Sequence, residues 1–318
     1  MDKKRFIRIT ICGLTALAIL IAAFLMNKSP KSITKEGYYF DTYVNLTVYS
    51  KKDAKYLDEC LKMCQRYENL FSRTIEGSDI YNINHSSGKS VEVDEETYIL
   101  LKEALEFCEK TNGAADITIA PLTDAWGFNK NAAFVNEKPS DEDIAKALNK
   151  VDYKCVKLEE GNKVRLDNPD AAIDLGFIAK GYIADRLREY LVSKNVKSAI
   201  ISLGGNIVVI GTKIDGSDYN IGIKDPDNNE NILGSVKVND KSVVTSGTYE
   251  RYVEYDGVRY HHILDTLTGY PVDNGIKSVT IVSDSSAEGD ALSTICLILG
   301  EEKSKDILEE YDAKAIFY

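Results

Sequence analysis

Ala199-Ile200-Ile201-Ser202-Leu203-Gly204-Gly205-Asn206-Ile207-Val208-Val209-Ile210 is the stretch from which the architecture can be read. Two short apolar runs rich in β-branched residues flank a Gly-Gly pair, and this pattern predicts two strands joined by a tight turn. Such a turn joins antiparallel strands, whereas parallel neighbours need a long crossover. Just upstream, Ile178 to Lys194 is helical, with Ile178, Ile183, Leu187 and Leu191 on one face. Downstream come short strands at Ile221 and Ile223, at Val236 and Val238, a hairpin about Asp256-Gly257, and Val279 to Val282. Farther upstream, Tyr43 to Tyr49 alternates as a strand, Asp53 caps a helix running toward Asn69, and Glu95 to Thr111 makes a second amphipathic helix. Ser140-Asp141-Glu142-Asp143 opens a short helix to about Asn149, and a Gly161-Asn162 turn joins strands around Val156 and Val164. Helices Ala287 to Leu299 and Glu302 to Tyr311 and a strand Ala315 to Tyr318 close the chain. Helices and hairpins mix without a βαβ rhythm, so the fold class is α+β, with mixed, mainly antiparallel sheets and packed helices.

The 318 residues are 44% hydrophobic and 28% charged, which excludes a disordered chain and a multi-span membrane protein. The net charge is −11; the first thirty residues hold five basic groups and one acidic, so the remainder stands at −15. Nucleic acid is a poor partner for that body. Asp2, Lys3, Lys4, Arg5 and Arg8 precede Ile9 to Met26, an uncharged stretch without proline. Its length of about 27 Å matches a hydrocarbon core, so it reads as one transmembrane helix, the alternative being a cleaved secretory signal. The basic start places the amino end in the cytoplasm and the body, from about Lys31, outside. The expected organisation is residues 1–30 as cytoplasmic start and anchor and 31–318 as one folded domain, single-pass in the cell membrane and extracytoplasmic. Beyond Cys12 in the anchor, five cysteines lack any CxxC or regular spacing. They read as small buried hydrophobes rather than a disulfide or zinc framework.

Four stretches carry possible chemistry. In Ala287-Glu288-Gly289-Asp290-Ala291-Leu292-Ser293-Thr294, Asp290 and Thr294 stand at i and i+4, which puts a carboxylate and a hydroxyl on one helix face. Hard oxygen ligands so arranged suit Mg²⁺ or Ca²⁺; equally, the Asp complements the helix dipole and the Thr packs its methyl. In Asp174-Leu175-Gly176-Phe177-Ile178-Ala179-Lys180-Gly181, Asp174 can cap the following helix or accept from a ligand, and Lys180 can be a point charge on a phosphate or a solvated lysine. Tyr260 to Gly269 sets His261 and His262 beside Asp265; a histidine there can act as general acid or base, or one ring packs and the other is exposed. Asn112 to Thr118 leads to Pro121-Leu122 and Trp126-Gly127-Phe128, whose sole tryptophan can hold a flat ring or fill the core. The Gly204-Gly205 loop is not a GxGxxG fingerprint, no Walker A sequence occurs, and no Ser–His–Asp order with a nucleophile elbow accompanies the histidines.

Taken together and in this order, these stretches resemble the FAD:protein FMN transferase family, also called the ApbE family, from about Tyr39 to the C-terminus. Its marks are Gly113-Ala-x-Asp-x-Thr118 running to Pro121-Leu-x-x-x-Trp-Gly-Phe128, Asp174-Leu-Gly-x-Ile-Ala-Lys-Gly181, Ser202-Leu-Gly-Gly-Asn206 and Asp290-Ala-Leu-Ser-Thr294. Between them stand Thr245-Ser-Gly-Thr-Tyr-Glu-Arg251 and His262-Ile-Leu-Asp265. The resemblance implies an enzyme that binds FAD and Mg²⁺, with Ca²⁺ a possible metal. It would transfer FMN to a threonine hydroxyl of an acceptor flavoprotein, releasing AMP. Asp290 and Thr294 match the side-chain metal ligands, and Phe177 takes the position of a carbonyl ligand where a small residue is usual. Phe40, Ala114, Ala115, Asp116, Asp174 and Lys180 match FAD-contacting positions, although Asp41 stands where the family has Gly. His262 matches the histidine linked to transfer, while Thr266 replaces a Pro after Asp265; either His262 or Asp290 can be the base. The competing readings are a metal-dependent FAD pyrophosphatase giving FMN and AMP, and a flavin-binding protein without turnover.

Overall fold

The computed structural model describes residues 32–128, 137–228 and 231–318. The segment Ile9 to Met26 lies outside them, and among the described residues no helix is long and apolar enough to cross a membrane. In chain order the strands are β1 (Ile33–Tyr39), β2 (Thr42–Val48), β3 (Val91–Glu92), β4 (Val156–Glu159), β5 (Lys163–Leu166), β6 (Ser198–Leu203), β7 (Asn206–Gly211), β8 (Tyr219–Lys224), β9 (Ile232–Val238), β10 (Ser242–Gly247), β11 (Tyr252–Tyr255), β12 (Val258–His261), β13 (Ser278–Ser283) and β14 (Lys314–Phe317). The α-helices are α1 (Leu57–Phe71), α2 (Asp79–Asn84), α3 (Glu95–Lys110), α4 (Ala120–Ala125), α5 (Asp141–Leu148), α6 (Ala179–Ser193), α7 (Ser286–Leu299) and α8 (Lys305–Glu310).

Seven strands form one antiparallel sheet in the order β1-β2-β6-β7-β10-β13-β14, so the fold is the expected α+β mixture. Strand alternation decides its faces. Val44, Leu46 and Val48 of β2 lie opposite Leu203, Ile201 and Ala199 of β6, and all six are buried in the main core. Ile183, Leu187 and Leu191 of α6 and Ala291, Leu292 and Ile295 of α7 belong to the same core. Each Leu or Ile so buried contributes about 1.5–3 kcal/mol relative to exposure. A second cluster joins Val209 and Val243 of the sheet to Tyr219, Ile221 and Val238 of the β8–β9 hairpin. Trp126 is wholly buried in a third cluster with Leu122, Ile144, Val253 and Leu264, and its indole donates to the Gly269 carbonyl at 2.8 Å. The tryptophan is therefore core, and it ties the 120s to the loop after β12. Cys60, Cys64, Cys108 and Cys296 are buried and unbonded, with Cys155 half-buried, as expected of small apolar residues.

Some local expectations are corrected. Asp53 makes no side-chain cap; a 3₁₀ turn at Ala54–Tyr56 precedes α1, and Asp53 has helical backbone. Neither β1 nor β10 was expected. The first is an edge strand in which partly buried and exposed residues alternate, and the second carries Ser242, Thr245 and Ser246 where an apolar strand signal would be. By contrast, Ser140 caps α5 as expected, accepting from the Asp143 amide at 3.1 Å.

The two helices over the sheet approach most closely at Gly181. A Cβ there would stand 2.1 Å from the Ser286 carbonyl oxygen and 2.6 Å from its carbon, so only glycine lets α6 meet the start of α7. Gly181→Ala should destabilise the protein by about 1–3 kcal/mol even though alanine is the better helix former. Urea unfolding measures this, and a midpoint equal to or above wild type would remove the steric argument.

Candidate active site

Asp290, 2% exposed, sits in α7 facing the first turn of α6. Its Oδ2 accepts from the Gly181 amide at 2.9 Å, and its Oδ1 lies 3.5 Å from Lys180 Nζ. α6 begins at Ala179 with Ile178 as its N-cap, so Gly181 carries one of the first-turn amides that have no partner within the helix, and Asp290 supplies it; Phe177 precedes the cap, and its carbonyl lies outside the helical ladder. One turn along α7, Thr294 Oγ1 stands 3.1 Å from Ser246 Oγ of β10, which also lies 2.7 Å from Ser293 Oγ. A carboxylate and neighbouring hydroxyls, with the Phe177 carbonyl outside the helical ladder four residues before Gly181, are hard-oxygen donors whose chemistry fits Mg²⁺ or Ca²⁺. Among the described residues no group of three or more His, Cys, Asp or Glu could hold a metal, so this donor set rests on one carboxylate and neutral oxygens.

Three loops converge near this end. Asp174 does not cap α6, whose N-cap, Ile178, makes no side-chain bond. Asp174 Oδ1 accepts from the Gly176 amide at 2.8 Å, and Oδ2 pairs with Arg73 Nε at 3.0 Å. Its own amide donates to the Ile117 carbonyl at 2.8 Å, which sets it against the Gly113–Thr118 turn. In that turn Asp116 is consumed internally: Oδ1 accepts from the Thr118 amide and hydroxyl, and Oδ2 from the Tyr153 amide. Burial raises its pKa and those donors oppose the rise. Ala114 and Ala115 precede it, with amides held by the Thr111 carbonyl and hydroxyl. Thr266 Oγ1 donates to the Gly113 carbonyl at 2.7 Å, so the residue replacing proline fastens the histidine loop to this turn.

His262 Nδ1 lies 3.1 Å from the Arg251 carbonyl. A carbonyl only accepts, so Nδ1 carries the proton and Nε2 presents a lone pair. Burial, with Arg251, His261 and Lys180 adding to it, lowers the His262 pKa to about 4 against the pull of the Arg251 carbonyl. His261 is also partly buried, its Nε2 on the Val272 carbonyl, so neither ring is the exposed one. Across the site, Phe40 and Asp41 both have φ of 56°, the left-handed region that a glycine-like turn requires and that aspartate tolerates. The Phe40 amide donates to Glu68 at 2.8 Å, and Asp41 reaches to 3.9 Å from Arg251. A Cβ on Gly204 would meet the Thr42 hydroxyl at 2.7 Å, and one on Gly205 would lie 3.3 Å from Glu250 Oε1, so the Gly-Gly loop abuts this hairpin tip.

The ApbE family profile matches residues 40–317. The chain belongs to the ApbE family. It is 36% identical to a FAD:protein FMN transferase of Treponema pallidum over 299 residues, covering 87% of this chain and 82% of that protein. It is 38% identical to one of Klebsiella pneumoniae over 278 residues, covering 86% and 84%. Among solved structures it resembles the ApbE protein of Thermotoga maritima, with a TM-score of 0.83, 36% identity, and 90% and 94% of the two chains covered. The flavin transferase ApbE of Vibrio cholerae gives 0.78 at 28% identity, covering 90% and 93%.

Within this ApbE-family chain the structure brings Lys180 to Asp290, with Thr294 one turn along the same helix, while Phe177 lies in the turn before α6. It sets Asp174, Ala114, Ala115 and Asp116 along the neighbouring turn. Four residues escaped the reading of individual side chains. Arg73 bridges Asp174 and Asp124, at 2.7 Å from the latter. Ser246 touches Thr294. Glu250 shares the field of Lys180 and Asp290, its pKa raised first by desolvation. Asp185 bonds the start of α7. Ser246 and Glu250 lie inside the family run Thr245 to Arg251 and could have been found there; Arg73 and Asp185 pair only through the fold.

His262 should be neutral at pH 7. Its folded pKa lies below the ordinary value of 6.5, so its contribution to stability is whole above about pH 6.5 and is lost as pH falls through about 4. NMR titration of the imidazole should show no midpoint above pH 5.5; a midpoint near 6.5 contradicts the desolvated environment.

Proposed function

We propose that this chain transfers FMN from FAD to a threonine hydroxyl of an acceptor flavoprotein, with Mg²⁺ as the resident metal and Ca²⁺ as a possible substitute. The observation that carries the reading is the cluster of oxygens at the α6–α7 junction, where the Gly181 amide and Lys180 orient the buried Asp290 carboxylate one turn from Thr294. Family membership and the activity named for the relatives from Treponema pallidum and Klebsiella pneumoniae support it. A divalent ion held by Asp290, Thr294 and the Phe177 carbonyl would supply Lewis-acid neutralisation of the diphosphate charge.

The remaining work falls to the chain. Lys180 gives a point charge beside the diphosphate. Phe40, Ala114, Ala115, Asp174 and Asp116 contact FAD, Asp116 through its backbone because its carboxylate already holds three donors. Of the two candidate bases His262 is preferred: Asp290 has one oxygen on Gly181 and the other toward Lys180, whereas His262 Nε2 is a free acceptor. The threonine oxygen attacks the phosphorus of the FMN half while its proton passes to Nε2. The bond from that phosphorus to the bridging oxygen breaks, and AMP leaves with that oxygen.

The same proposal places the protein in the cell membrane through Ile9 to Met26, with residues 31–318 as the extracytoplasmic catalytic domain. Protease added to intact spheroplasts should then degrade the body; a body protected until lysis rejects this placement.

Full-length protein in detergent, incubated with FAD, Mg²⁺ and a threonine-bearing flavoprotein acceptor, should yield covalent FMN on the threonine and one AMP per transfer, read by mass spectrometry. Asp290→Ala should abolish both products, and His262→Ala should slow transfer by about 10²–10⁴-fold. Free FMN and AMP without modified acceptor would identify a hydrolase, and intact FAD a binding protein.

A further inference from the structure

Asp185 lies one turn beyond Gly181 on α6, on the face that meets α7, and the proposed chemistry does not use it. Its carboxylate accepts three bonds from the beginning of the other helix: the Ser286 amide on Oδ1 at 2.9 Å, and on Oδ2 the Ala287 amide at 2.9 Å and the Ser285 hydroxyl at 2.7 Å. The Ser285 oxygen in turn accepts from the Glu288 amide at 3.2 Å. A helix leaves its first amides without intrahelical partners, and a local cap satisfies one or two of them. In α7 a carboxylate from another helix takes two and orients the cap that takes the next. Gly181 and Asp185 therefore hold α7 at two points one turn apart, Gly181 through its amide on Asp290 and its contact with Ser286, Asp185 through the bonds to Ser285, Ser286 and Ala287. Two attachments on one helix face fix both the rotation and the axial position of the other helix, and one residue of slip is 1.5 Å and 100°. Such a slip would carry the Asp290 carboxylate off the Gly181 amide and away from Lys180.

We propose that Asp185 is a positioning residue that sets the metal affinity of the site by locking the start of α7, and with it Asp290 and Thr294, onto α6. The inference rests on reading Asp290 and Thr294 as metal ligands. Residues that hold ligands in place usually alter metal affinity by about 10–100-fold when removed. An ordinary cap would alter stability alone.

The test is Mg²⁺ binding by isothermal titration calorimetry on the full-length protein in detergent without FAD, alongside Mg²⁺-dependence of turnover. Asp185→Asn keeps the size and loses the charge; its Kd for Mg²⁺ should rise about tenfold or more, with kcat at saturating Mg²⁺ within about threefold of wild type. Ser285→Ala removes one donor, leaves the carboxylate in place, and serves if Asp185→Asn does not fold; it should raise Kd about threefold. Ser140→Ala removes the cap of α5, away from the site, and should lower the Tm without moving Kd. If Asp185→Asn or Ser285→Ala binds Mg²⁺ within a factor of two of wild type while its Tm falls as in Ser140→Ala, Asp185 is a cap and nothing more. If Asp290→Ala binds Mg²⁺ as tightly as wild type, the ligand reading beneath the proposal fails instead.

Discussion

The absence of room for any side chain at Gly181 is the steric constraint on which the catalytic end depends. Because the α6 backbone lies against the Ser286 carbonyl, α7 can stand close enough for the Gly181 amide to reach the Asp290 carboxylate. That bond has two effects at once. It gives a buried carboxylate a donor, and it satisfies an amide of the first turn of α6 that has no partner within the helix. The placement of Asp290 is thus a by-product of helix packing, and the packing is in turn set by the sheet, whose apolar face carries both helices.

How much of this was legible follows from the range of each signal. Turns such as Gly204-Gly205, caps such as Ser140 and periodic faces such as Ile183, Leu187 and Leu191 act within a few residues, and they were read correctly. β10 was missed because its Ser and Thr side chains serve the site and the Thr245–Thr280 hydroxyl pair rather than a core, and β1 because its alternation is that of a solvated edge. Asp174 was read as a possible cap because an Asp before a helix usually is one; its Arg73 partner stands a hundred residues upstream, beyond any local pattern. In the site, motif positions named Asp290, Thr294, Lys180 and His262 as candidates. That Asp116 is spent on its own turn, and that Asp41 can keep a left-handed backbone, became visible only with the fold.

The electrostatics reconcile an acidic protein with an anionic substrate. A body at −15 repels a diphosphate at a distance, but Lys180 stands beside Asp290, Arg251 beside His262 and Arg73 beside Asp174, so the local charge differs from the net one. Arg73 is neutralised by Asp124 and Asp174, so it acts as a brace, while Lys180 and Arg251 both bear on His262 and help keep its ring uncharged. Two cations thus act together to hold a histidine in its neutral form.

The order of strands in the main sheet bears on how the molecule is made. β1 and β2 emerge early in synthesis, yet the neighbour of β2 is β6, with β3, β4, β5 and most of the helices in between, and the sheet is completed only when β14 pairs with β13 at the far end of the chain. Pairings of such long sequence separation form late and slowly. A nascent chain therefore carries a hairpin without its sheet neighbour from Val48 until β6 is complete at Leu203, about half of its synthesis, a period in which chaperones would have their main hold on it. The helix α7, with Asp290 and Thr294, also lies in the last part to appear, so the contacts of Asp290 with Lys180 and Gly181 form only after most of the 318 residues have been made.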